Sequence, residues 1–453
     1  MSFPAYPEYK DSGVEWLGDI PGHWSHNQIK RECYLKGRVG WKGLNSDEYQ
    51  DSGHAYLVTG TDFSSKFINW DSCYWVDQSR FEDDPFIQLT DGDLLITKDG
   101  TIGKLAIVTG LNAPACLNSG IFLLRPLRKI YLTEYMYWIL SSKAFSFFCA
   151  LSSLGSTIQH LYQNTFEQFI FPIPPLSEQS VIVAFLDHET AKIDALISEQ
   201  ETLIALLKEK CQAVISHVVT KGLDPNVPMK DSGVEWLGEV PEHWRVCRLR
   251  WAAQSIKAGP FGSAITKDMY TETGFRVYGQ EQVIADDFTV GNYYIDIDKH
   301  TTLAEYIIFP RDILISCVGT FGKISIFPDD AEAGIINPRL INIRFDYAII
   351  PEYIKYTLTS RAVSTQISMM SRGGTMGVIN VGILKNIIIP IPPVEEQRAI
   401  LNSLSIHHKK IASLVNEAEY AIRLLKERRS ALISAAVTGK IDVRGYAPQP
   451  EVA

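Results

Sequence analysis

Two stretches of the chain repeat apolar residues every seven positions, and short apolar runs lie between them. The first opens Pro172-Ile173-Pro174-Pro175-Leu176-Ser177-Glu178-Gln179 and ends Val218-Val219-Thr220-Lys221-Gly222. Its prolines stop a preceding strand, Ser177 with Glu178 and Gln179 suits a helix start, and Gly222 suits a stop. The interior, free of Pro and Gly, predicts one helix of roughly 40 residues, about 60 Å long. Leu186, Ile193, Leu207 and Val214 share one register, with Gln200 as its polar member. Leu196 and Leu203 take the complementary positions, flanked by Ile197, Ile204 and Val218. Such a stripe predicts a coiled-coil seam and needs a partner helix. The second run, from Pro390-Ile391-Pro392-Pro393-Val394-Glu395-Glu396-Gln397 to Val437-Thr438-Gly439-Lys440, supplies it, with Leu404, Ile411, Leu425 and Leu432 in matching places.

The match extends beyond the helices. Lys10-Asp11-Ser12-Gly13-Val14-Glu15-Trp16-Leu17-Gly18 recurs at Lys230–Gly238, and His23-Trp24 recurs at His243-Trp244. Asp93-Leu94-Leu95-Ile96 and Gly100-Thr101-Ile102-Gly103-Lys104 recur as Asp312-Ile313-Leu314-Ile315 and Gly319-Thr320-Phe321-Gly322-Lys323. Short β-branched runs between Gly, Asp and Pro turns predict strands at Leu94–Thr97, Leu105–Val108 and Ile121–Leu124. Their counterparts are Ile313–Ser316, Ile324–Phe327 and Leu340–Ile343, and a helix is expected near Leu132–Ser152 and near Pro351–Met370. The fold class is therefore α+β: two pseudo-twofold-related α/β domains separated by two long antiparallel coiled-coil helices, with the domains at opposite ends of a rigid spacer. The expected boundaries are 1–171 and 223–389 for the domains, 172–222 and 390–445 for the helices, and 446–453 for a flexible tail. Gly222–Pro228 is the turn between halves.

The 453 residues exceed what one core holds, and 46% hydrophobic with 21% charged residues fits a soluble globular chain. A net charge of −9 argues against nonspecific coating of DNA while leaving local basic loops open. Seven scattered cysteines, with no C-x-x-C pair, suggest reduced thiols in the cytoplasm rather than a disulfide scaffold or zinc site. The start, Met1-Ser2-Phe3-Pro4, has no signal-sequence pattern, and no apolar run reaches bilayer-spanning length.

Asp-Ser-Gly-Val-Glu-Trp-Leu-Gly, Gly-Thr-x-Gly-Lys and Ile-Pro-x-Pro-Pro-x-x-Glu-Gln blocks, twice and in the same order, resemble the specificity subunit of Type I restriction-modification systems. The resemblance covers essentially the whole chain. It implies two target recognition domains, each reading one half of a split, asymmetric DNA sequence, and helices that set the gap. It also implies a noncatalytic chain that binds double-stranded DNA, two modification subunits and the restriction subunits. S-adenosylmethionine, ATP and magnesium belong to those partners, and no cofactor or metal to this chain.

Candidate contacts follow from residue chemistry. The Gly-Thr-x-Gly-Lys blocks lack phosphate-loop spacing, and Leu105 and Ile324 stand where Ser or Thr is required. They read as tight turns whose Lys98, Thr101 and Lys104, and Thr320 and Lys323, can face DNA. Ser156, Thr157, Gln159 and His160 lie in a loop equivalent to the one carrying Arg372 and Thr375, where polar groups can reach bases or phosphates, Arg372 suiting guanine. Thr61, Lys66, Gln280 and Gln282 fall where the copies differ most, as either separate specificities or loop drift would produce. Trp16 and Trp236 read as core anchors. Glu178, Gln179, Glu396 and Gln397 are candidate partner contacts, or first-turn acids complementing a helix dipole. A stand-alone DNA methyltransferase or nuclease would need a cofactor loop and catalytic motif that the sequence does not offer. A bare coiled-coil scaffold would not need two large, nonidentical domains.

Overall fold

The computed structural model describes residues 3–38, 44, 46–63, 65–152, 160–261, 264–317, 322–371 and 380–446. The chain divides into two compact units: residues 1–200 with 420–453, and residues 201–419.

Unit 1 is layered. A four-stranded antiparallel sheet takes the order Cys33–Gly37, Ile121–Pro126, Leu94–Thr97, Leu105–Ile107. A second sheet runs Tyr74–Val76, Ala55–Val58, Ala115–Leu117, its last pair parallel. Leu94, Ile96, Phe122 and Leu124 pack with the helical side, and Leu95, Ala106 and Leu123 pack with the second sheet. Both faces of the first sheet are thus covered, which explains the unbroken apolar run Leu94-Leu95-Ile96. Unit 2 repeats the plan with Ser255–Ala258, Leu340–Arg344, Ile313–Ser316 and Ile324–Ile326, and with Tyr294–Ile295, Phe275–Tyr278 and Gly334–Ile336. The aspartate opening each repeated block is structural. Asp93 is buried and receives Arg125 in two bonds of 2.7 Å. Asp312 receives Arg344 at 2.8 and 2.7 Å.

The single helix expected in each domain is two. Thr133–Leu140 and Lys143–Ser152 break at Ser142, and Pro351–Thr359 and Arg361–Ser371 break at Ser360. Each serine hydroxyl donates back to a carbonyl three residues earlier, at 2.6 Å, and competes with helix continuation.

The long helices are Leu176–Lys221 and Val394–Val437, 46 and 44 residues, or roughly 65–70 Å. In unit 1, Asp194 meets Arg429 at 2.8 Å while Ile182, Phe185 and Leu186 share a core with Ile433, Ala436 and Val437, so the two segments run antiparallel. The seam differs in one respect from its expected form. Leu186 and Ile193 are buried and Leu207 and Val214 half-buried, but Leu196 and Leu203 are exposed. The alternate positions belong to Ile197, Ile204, Cys211 and Val218, which continue a four-then-three spacing from Ile193. Among the described residues no helix is long and apolar enough to cross a membrane.

Candidate nucleic-acid interface

One end of each layered unit gathers polar side chains. In unit 1 the strand register places Gly37, Thr97, Leu105 and Ile121 together at that end. The parallel pair Val58–Leu117 brings the loop after Val58 to the same place. A Cβ on Gly60 would lie 3.1 Å from Thr97 Cγ2. The segment Lys98–Lys104 is a tight hairpin with Gly100 and Gly103 at φ +67° and +86°, a region glycine enters without steric cost. Thr61, Thr101 and Lys104 are exposed there. Thr61 Oγ1 lies 2.7 Å from Thr59 Oγ1, and Lys98 Nζ sits 4.9 Å from the centre of the Phe122 ring. His160 Nδ1 lies 2.5 Å from Asp99, and the Leu161 N–H donates to the Lys98 carbonyl.

The equivalent end of unit 2 holds Gln280, Lys323 and Arg339. Gln280 Nε2 donates to Ser316 Oγ at 2.8 Å, and Lys323 is exposed at the base of its hairpin. Arg339 stands in the following turn, whose carbonyl accepts the Cys317 N–H at 3.1 Å. Sequence reasoning passed over Arg339; alignment with Gly120 of the first copy is the signal that marks it. Ser156, Thr157, Gln159, Thr320, Arg372 and Thr375 lie outside the described residues.

Two residues expected at DNA are engaged elsewhere. Lys66 follows the opposite end of the sheet, where its carbonyl accepts the Ile107 N–H, and its ammonium meets Asp187 of the first long helix at 2.6 and 2.8 Å. Trp138 Nε1 donates to the same carboxylate at 3.0 Å. Gln282 is buried. Its Oε1 accepts the Gly279 N–H and its Nε2 donates to the Val290 carbonyl, each at 2.7 Å. It closes a helix start as a capping-box glutamine, which occupies both ends of its amide.

Glu178 and both glutamines of the Glu-Gln pairs turn inward, and Glu396 stays partly exposed. Glu178 is buried and accepts the Tyr6 hydroxyl at 2.6 Å and Trp24 Nε1 at 3.0 Å, with His23 Nε2 at 2.8 Å. In unit 2, Glu396 accepts Trp244 Nε1 at 2.9 Å and contacts His243 Nε2 at 2.6 Å. The repeated His-Trp motif is therefore the receiver of the repeated glutamate. Gln179 Oε1 accepts the Leu132 N–H at 2.8 Å, and its Nε2 donates to the Ile130 and Pro174 carbonyls at 3.0 and 2.8 Å. Gln397 does the same for Ile350, Ala348 and Pro392. Both glutamines are fully buried. These side chains buckle the start of each long helix to its own unit.

The far end of the other helix is held too. Tyr135 donates to the carbonyls of Pro172 and Val437 in unit 1, and Tyr353 to those of Pro390 and Val219 in unit 2. After Val437 the chain turns at Gly439, and Val443 and Tyr446 pack on unit 1. There the Asp442 N–H donates to the Pro4 carbonyl at 2.7 Å.

The chain is built twice from one layered unit, each copy buckled to a long helix and bearing similar but unequal side chains at one end. Residues 44–205 and 261–419 match the Type I restriction modification DNA specificity domain, and the chain belongs to that family. It is similar to the Type I restriction enzyme EcoBI specificity subunit of Escherichia coli, 23% identical over 373 residues, 80% of this chain and 76% of that protein. The HsdS subunit from Thermoanaerobacter tengcongensis shares the fold with a TM-score of 0.52 and 17% identity, over 93% of this chain and 98% of that chain. A chain in a structure described as the basis of complex assembly and conformational transition of the type I R-M system gives a TM-score of 0.68 at 17% identity. That match covers 92% of this chain and 98% of the other.

Proposed function

We propose that this chain is the noncatalytic DNA-specificity subunit of a Type I restriction-modification enzyme, working in the cytoplasm on an asymmetric bipartite sequence. Each unit reads one half-site, and the long helices set the gap between them. The reading rests on one observation above all: a shared framework, with Lys104 and Lys323 in common, presents otherwise different side chains at equivalent places such as Thr61 and Gln280. Unit 1 offers Thr61, Lys98, Thr101, Lys104 and His160, and unit 2 offers Gln280, Lys323 and Arg339. Phosphate contacts from the lysines would position the duplex, and the remaining groups suit base edges.

The partners are two modification subunits, which supply S-adenosylmethionine and methylate adenine, and restriction subunits that use ATP and magnesium. Glu178, Gln179 and Gln397 are buried within their own units while Glu396 keeps 41% exposure, so the docking surface extends to other exposed residues. Each unit exposes apolar side chains on its share of the long helices: Leu196, Tyr420 and Leu424 in unit 1, and Leu203, Leu206, Ile406 and Leu414 in unit 2. Relatives named as specificity subunits support the assignment.

The test is methylome sequencing of cells expressing the chain with its modification subunits. One methylated bipartite motif is expected. Insertion of one heptad into both long helices should lengthen the spacer and leave the half-site bases unchanged. New half-site bases with an unchanged gap would refute the spacing role.

A further inference from the structure

Arg339 breaks the equivalence of the two units. It lies between strands Gly334–Ile336 and Leu340–Arg344, at the place Gly120 holds between Ala115–Leu117 and Ile121–Pro126. Its backbone secures the turn: the N–H donates to Asn337 Oδ1 at 2.9 Å, and the carbonyl accepts from Cys317 N at 3.1 Å and Cys317 Sγ at 2.9 Å. Its side chain is exposed and makes no salt bridge among the described residues. Burial first, then the Glu281 carboxylate and Tyr293, raise the Tyr270 phenol above its ordinary range, and the Arg339 guanidinium opposes that rise. Tyr270 in turn packs against the half-exposed Tyr293, ring centres 5.1 Å apart.

Unit 1 has no side chain at that place, and an acid stands beside it. A Cβ on Gly120 would lie 3.8 Å from Asp99 Cβ, and Asp99 is joined to His160. The sequence position matching Asp99 in the second copy is Val318. A planar guanidinium presented from a pinned turn suits the paired O6 and N7 acceptors of guanine, whereas the nearby Lys323 is a flexible point charge suited to phosphate.

Building on the proposed DNA-reading role, we propose that Arg339 reads a guanine in the half-site bound by unit 2, a contact with no counterpart in unit 1. The experiment compares wild type with Arg339→Ala and Arg339→Lys, each assembled with the modification subunits. Binding is titrated against every single-base variant of the methylated motif at two salt concentrations. Arg339→Ala should lose about 5- to 150-fold of its discrimination at one guanine of one half-site, with the other half-site unchanged. Arg339→Lys should fail to restore it. Uniform weakening on all sequences, with the salt slope reduced by about one, would make Arg339 a phosphate contact and overturn the inference. Unaltered discrimination at every base would overturn it as well. Absence of any bipartite preference in wild type would instead sink the specificity role itself. Thermal unfolding of the variants should match wild type, because only backbone atoms of Arg339 hold the turn.

Discussion

Replacing Gln179 by alanine separates a structural buckle from a partner contact. The wild-type amide makes three hydrogen bonds in a place without solvent: one accepted from Leu132 and two donated to Ile130 and Pro174. Each is worth about 1 kcal/mol net, and a buried backbone group left unpaired costs about 1–3 kcal/mol. Water entering the vacated space would recover part of this, so the loss should fall at about 3 kcal/mol, within a range of about 2–5. Hydrogen exchange by mass spectrometry on the chain alone should show faster exchange at the Leu132 amide and across the first turns of the helix at Leu176. Gln397→Ala should produce the same signature at Ile350. Urea unfolding monitored by the same peptides gives the magnitude. Losses below about 0.5 kcal/mol in both variants, together with failure to bind the modification subunit, would refute the buckle and restore the glutamines to the partner interface.

Glu178→Ala should destabilise its unit more than Glu396→Ala does the other, because Glu178 is 6% exposed and Glu396 is 41% exposed; tryptophan fluorescence during urea unfolding compares Trp24 with Trp244. Gly439→Ala should cost more than Gly222→Ala in thermal unfolding. Both have φ above +70°, but the added Cβ would sit 2.3 Å from Pro21 Cδ in the first case and 3.3 Å from Trp244 in the second. Burial pushes the Cys33 and Cys73 thiols up to about 12, so at pH 8 they should resist alkylation, while the partly exposed Cys211 and Cys247, whose thiols burial also raises, should react faster. Mass mapping that finds Cys33 modified as fast as Cys211 in the native chain would contradict this.

The doubled plan, the strands and the long helices were legible because each rests on a local period or a repeat. The Gly-Thr-x-Gly-Lys turn was legible for the same reason, its glycines being demanded by backbone angle. What escaped depends on which way a side chain faces after folding. Glu178 meets Trp24 across 154 positions of chain, and nothing at Glu178 itself signals that it points inward. Lys66 looks like any surface lysine until Asp187, 121 positions later, is placed beside it. Gln282 carries a local signal, a helix-start glutamine three residues after Gly279, which competes with the suitability of its amide for a base edge. Leu196 and Leu203 fit a seven-residue period as well as Ile197 and Ile204 do. Only packing decides which neighbour of the Ile193 register is covered.

The discontinuous make-up of unit 1 sets an order of events during synthesis. Unit 2 is contiguous, whereas unit 1 takes Ile433, Ala436, Val437 and Val443 from the last stretch of chain into the same core as Ile182, Phe185 and Leu186. At about 5–20 residues per second, that apolar surface waits on the order of ten to fifty seconds on the ribosome before its cover is made. The half of the protein translated first is thus the last to be finished, and a nascent chain stopped short of Ile433 would fail at its beginning rather than at its end.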